Sequence, residues 1–177
     1  MPHILNVLIW FPILSAMFLL AASDSKHQNV AKYLGLFTVV ISLSLCLPLL
    51  WQFDLTTEAM QFTESYAWLP SLGISYSLGV DGIALLLIVL SIFTTLVVLL
   101  ATWNSVNTKV SQYIAAFLLM QGLLVGVFSA LDSMVFYIFW EATLIPMYLI
   151  IGIWGSANRI YAAIKFFLFT FFGSVTM

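Results

Sequence analysis

Six stretches of this chain each run for about twenty mostly apolar residues, the length a helix needs to cross a bilayer. They are Ile4–Ala22, Tyr33–Phe53, Gly82–Trp103, Gln112–Leu131, Ser133–Trp154 and a sixth from about Ile160 to Met177. The predicted fold is therefore an all-α integral membrane protein, one membrane domain over residues 1–177 with six transmembrane helices. Composition closes off the soluble alternative. The chain is 63% hydrophobic and 7% charged, whereas a soluble domain carries about 25% charged residues. The first stretch is read as a retained helix, because no Lys or Arg precedes it while Lys26 and Lys32 follow, the reverse of a secretory signal.

The connections carry the remaining polarity. Lys26 and Lys32, then Lys109, then Arg159 fall in alternate connections. The intervening ones hold Asp54, Glu58, Glu64, Asp81 and Asp132 and no basic residue. The positive-inside rule then puts the N-terminus outside. Residues 54–81 read as an outer interfacial loop, since Tyr66, Trp68 and Tyr76 favour that depth. Asp81 and Asp132 are placed to cap the third and fifth helices. Gly122, Gly126 and Ala130, spaced by four, read as a close-packing face, and Gln121 beside them as a hydrogen-bonding residue between helices. Pro12 and Pro48 are expected to bend their helices.

Several chemistries have no residues here. The single Cys46 forms no intrachain disulfide and holds no iron–sulfur cluster. His3 and His27 lie outside the apolar stretches, so they ligate no haem within the membrane. No basic cluster invites nucleic acid. No cofactor is expected in this chain.

Two charges remain inside apolar stretches. A charge at that depth costs at least about 2.5 kcal/mol on insertion scales and is a functional hypothesis by default. Glu141 lies eight residues from Ser133, roughly 12 Å into a core about 30 Å thick. Desolvation there favours the neutral acid, and a nearby lysine would favour the charged form. A proton-transfer role stands against a structural hydrogen bond to a neighbouring helix. Pro146 cannot donate to the carbonyl of Ala142, which leaves that oxygen to a neighbouring helix or to water. Lys165 lies about five residues into the sixth helix, offset from Glu141 by roughly 12 Å in depth on straight helices. A direct pair is not expected; a link through water stands against snorkelling to the interface.

Phe139 to Gly155, FWEATLIPMYLIIGIWG, resembles the fifth helix of chain M (chain 4 in mitochondrial naming) of proton-pumping NADH–quinone oxidoreductase, respiratory complex I. Arg159 to Thr170 resembles that family's sixth helix, and Tyr76 to Ile83 the start of its third. The resemblance covers the chain from about Tyr76 onward. It implies the N-terminal part of an antiporter-like proton channel fold, with Glu141 and Lys165 as its proton-transfer residues. In the family, the glutamate is paired with a lysine on a broken seventh helix, which this chain does not contain. The resemblance further implies a truncated fragment, with redox cofactors (NAD, flavin, iron–sulfur clusters and quinone) in other subunits. Implied partners are the lipid bilayer and the other membrane subunits of complex I, including the sister antiporter-like chains. Implied surroundings are a bacterial inner membrane, or a mitochondrial one if organellar. The alternatives are a subunit of a multisubunit sodium–proton antiporter or membrane-bound hydrogenase, or an inactive membrane fragment.

Overall fold

The computed structural model describes residues 3–21, 28–57 and 59–176. Expectations that fall on Ala22, Lys26, His27, Glu58 and Met177 lie outside the described residues. Six helices form: α1 (Ile4–Ala21), α2 (Gln28–Gln52), α3 (Gly82–Ala101), α4 (Val110–Ser129), α5 (Ser133–Trp154) and α6 (Arg159–Val175). The first five are long and apolar enough to cross a membrane, while α6 has 17 residues. Helix α2 begins at Gln28, so Lys32 is helical and not a loop residue. Its ammonium donates to the carbonyl of Trp103 and lies 5.5 Å from the centre of that indole. Pro12 and Pro48 sit within α1 and α2, both of which continue through them.

The side-chain contacts fix helix directions. The beginning of α2 meets the end of α3 at Lys32 and Trp103, and Phe53, just past α2, packs on Gly82 at the start of α3. These two helices are antiparallel. A short connection returns the chain to the Trp103 end, where Gly35 of α2 lies against Ile114 of α4 with Leu99 of α3 alongside. Hence α2 and α4 run in the same direction. At that same end the Trp154 indole donates to the Thr108 carbonyl at 3.0 Å, and Arg159 donates to the Ile153 carbonyl at 2.8 Å.

Helix α4 is the mast of the bundle, with buried residues on all its faces. Its small residues set two contacts. A Cβ on Gly122 would lie 2.6 Å from the backbone oxygen of Ile9, and one on Gly126 would lie 2.6 Å from the Phe139 ring. The first glycine therefore admits α1 and the second admits α5.

The segment expected to be an interfacial loop contains a hairpin. Strands β1 (Gln61–Leu69) and β2 (Ile74–Val80) pair antiparallel, with Tyr66 opposite Tyr76 and Ser65 opposite Ser77. Phe62, Thr63, Tyr66, Trp68, Ile74 and Tyr76 are strand formers. Pro70 opens a single 3-10 turn, and Gly73 closes it at φ 69°, a left-handed conformation suited to glycine. An isolated hairpin of two strands is marginal in water, and this one is docked. The Leu131 amide donates to the Ser77 carbonyl at 2.9 Å, and Tyr76 donates to the Asn6 side chain at 2.9 Å.

The backbone contact at Gly122 gives a stability prediction. Gly122→Ala should cost about 1–3 kcal/mol, because α1 must shift away from α4. Gly173→Ala, where a Cβ meets nothing within 4 Å, should cost nothing. Unfolding of both variants in a mixed micelle checks the difference.

Candidate functional site

Helices α5 and α6 pack antiparallel in a readable register. Gly152 faces Ala163, and Tyr148 meets Phe167 edge-to-face at 5.8 Å. The hydroxyl of Ser174 is hydrogen-bonded to Glu141 Oε1. Steps of four and seven residues along α5 thus match equal steps along α6. Glu141, half-buried, stands level with Ser174.

That register decides the question of Lys165. It lies nine residues before Ser174, roughly 13 Å along the helix from the level of Glu141. Lys165 is exposed on α6. Its ammonium rests between the rings of Tyr161 and Phe169, 5.6 and 5.8 Å from their centres. Ring faces attract such a cation. The structure does not bring Glu141 and Lys165 together; among the described residues the one close acid–base pair is Glu64 with His3.

The Ser174 hydroxyl has two acceptors within reach. Ser174 Oγ also lies 2.9 Å from the Phe171 carbonyl, to which it donates. A hydroxyl has a single proton to give. A neutral Glu141 donates to Oγ and leaves the Phe171 bond intact, whereas a carboxylate competes with Phe171 for that proton. Beside the pair lies an open cavity of about 810 Å³ between α5 and α6. Its wall is mostly apolar, with Phe136, Trp140 and Phe169 among its residues, and Asp132, Ser133, Tyr137, Thr170 and Ser174 are its polar members. Pro146 is buried, and α5 passes through it from Ser133 to Trp154.

At the Asp132 end, acids hold the architecture. Asp81 caps α3 by accepting from the Ala84 amide at 2.7 Å. Asp132 caps α5 through the Met134 amide at 2.9 Å and also accepts from Ser75 of β2 at 3.2 Å. The Ser75 bond is the chief reason its carboxyl lies below the ordinary value of 3.8; burial opposes the shift and the Met134 and Val135 amides assist it. Glu64 accepts from Asn6, and His3 stands 3.4 Å away, an ion pair when its imidazole is protonated. Tyr66 is 2.6 Å from the same ring nitrogen. Sequence reasoning placed Glu64 among the outer acids but missed its contact with Asn6, which is far away in the chain. It also missed Ser174, although Thr170 and Ser174 mark one hydroxyl face on a helix otherwise rich in Phe.

A bundle of apolar, membrane-length helices with a mid-helix carboxyl beside an open cavity fits one class, the all-α antiporter-like membrane fold. The comparisons make it specific. Residues 130–177 match the family described as NADH:quinone oxidoreductase/Mrp antiporter, transmembrane. The chain is homologous along almost its whole length to NADH-quinone oxidoreductase subunit M. It is 43% identical over 180 residues to that subunit of Rhodobacter capsulatus, covering 100% of this chain and 35% of the relative. For Rickettsia prowazekii the identity is 38% over 174 residues, covering 97% and 35%. A chain of respiratory complex I from Thermus thermophilus superposes with a TM-score of 0.79 at 29% identity, covering 96% of this chain and 33% of that one. This chain thus spans about a third of the length of the relatives it matches.

Two predictions follow from the geometry. A carboxyl whose folded value is depressed stabilises above its unfolded value and loses that contribution as pH falls through the folded one. Protection of the Ser75 amide against hydrogen exchange should therefore persist above the ordinary 3.8 and fade below it. In Asp132→Ala that protection should be missing across the range. Separately, Ser174→Ala should shift the infrared carboxyl band that Glu141→Gln abolishes, with the helical amide bands unchanged.

Proposed function

We propose that this chain forms part of a proton-translocating membrane subunit of an NADH–quinone oxidoreductase, in which Glu141 takes up and releases the proton. The observation that carries this reading is the Glu141–Ser174 contact beside the open cavity between α5 and α6. Similarity to subunit M over nearly the whole chain supports it. In this reading the chain performs no redox chemistry itself. NAD, flavin, iron–sulfur clusters and quinone are held by other subunits, and the membrane partners are the remaining subunits of the complex, including its sister antiporter-like chains. Lys165 serves the same path indirectly, through water or through residues that neighbour α6 in the assembled subunit.

The proposed setting is an energy-conserving membrane, the bacterial inner membrane or its mitochondrial counterpart. Lys32, Lys109 and Arg159 mark the inner end; Asp54, Glu64, Asp81 and Asp132 mark the outer end. This assignment follows the positive-inside rule.

Glu141→Gln in the full-length complex should abolish most of the pumping and the coupled turnover while leaving assembly intact. Glu141→Asp should retain more activity, since it keeps the titratable group and shortens its reach. Proton uptake by vesicles carrying each variant checks both outcomes. Wild-type stoichiometry and rate in Glu141→Gln would reject the role given to Glu141.

A further inference from the structure

The seam between α2 and α4 holds an amide that the bundle leaves unsatisfied. Gln121 is 0% exposed, and neither its amide oxygen nor its nitrogen has a hydrogen-bond partner among the described residues. The cross-helix bond expected of it is not formed. An unsatisfied buried group of this kind costs about 1–3 kcal/mol.

The register shows what stands opposite. Gly35 and Ile114 are in contact across α2 and α4, which run in the same direction. Ser42 and Gln121 each lie seven residues further on, close to two turns, so they face one another across the same seam. Helix α3 runs the other way, and Thr95 lies four residues from Leu99 toward that level, about 4.5 Å short of it along the axis, within reach of a side chain and one bridging molecule. Ser42 and Thr95 are buried as well.

The proton inventory of this layer is unbalanced. Ser42 donates to the Thr38 carbonyl and Thr95 to the Ser91 carbonyl, each at 2.9 Å. Their oxygens retain acceptor capacity but have no proton left to give. The Gln121 amide offers two N–H donors and one acceptor oxygen, yet it makes no hydrogen bond to either hydroxyl. What the layer lacks is a small molecule that accepts from the amide and donates to the hydroxyls. Water has that valence, and a buried water typically makes about three such bonds.

We propose that α2, α3 and α4 enclose a bound water between Gln121, Ser42 and Thr95. The amide nitrogen donates to the water, which in turn donates to Ser42 Oγ and Thr95 Oγ1. The site is separate from Glu141. Gly126 is the α4 residue turned to α5, and Gln121 lies five residues before it, roughly 140° around the helix.

Pulsed hydroxyl-radical labelling of the 177-residue chain in lipid nanodiscs, in ¹⁸O-water, tests this. Radicals formed from a bound water attack the side chains around it. Cys46, one turn beyond Ser42 and 1% exposed, is the reporter, together with the fully buried Ile92. Both should be labelled in the wild type, and the label should be lost in Gln121→Leu and in Ser42→Ala. The second variant, a small-for-small change, decides the matter if the first does not fold. An unlabelled wild type, as a direct Gln121–Ser42 bond in a dry seam would give, overturns the proposal. So does labelling that survives in every variant that folds.

Discussion

A backbone carried through hydrocarbon must satisfy its own donors and acceptors, because no water is there to do so. The six helices are the direct answer, and the same constraint governs their polar side chains. Ser42, Ser44, Thr95, Thr102 and Ser129 each donate back to a carbonyl one turn earlier in the same helix. Nearer the helix ends, Lys32 and Asn6 find partners on other elements, and three groups deeper in the helices are not settled that way either. Glu141 reaches across to a hydroxyl on α6, Lys165 lies against two aromatic faces, and Gln121 finds no partner among the described residues. The candidate chemistry of the chain is concentrated where this local solution runs out.

Close packing then decides which helices become neighbours. Without a hydrophobic force between helices in lipid, small residues permit the approach. Gly122 and Gly126 use consecutive turns of α4 to admit two different helices, which makes α4 the common wall of the bundle. The spacing that reads in the sequence as one interface serves two.

The six helices and their order are legible in the sequence because hydrophobic length is a strong signal. Glu141 stands out for the same reason, as a charge where charges are costly. The hairpin is not legible: its strands are short, and its aromatic residues also suit an interfacial loop. What holds it, at Asn6 and at the adjacent Leu131 and Asp132, comes from two separate parts of the chain. The depth offset between Glu141 and Lys165 follows from counting residues, whereas the presence of Ser174 opposite Glu141 depends on the register between α5 and α6. Only packing supplies that register.

Thr170 and Ser174 both line the cavity, one turn apart on the same face of α6. If α6 moved along its axis by one turn, about 5.4 Å, Thr170 would replace Ser174 opposite Glu141. The carboxyl would exchange one hydroxyl for another, while the edge-to-face rings of Tyr148 and Phe167 would have to part. The polar contact is thus indifferent to such a step, and the apolar contacts, Tyr148 on Phe167 and Gly152 on Ala163, hold the helix to its present notch.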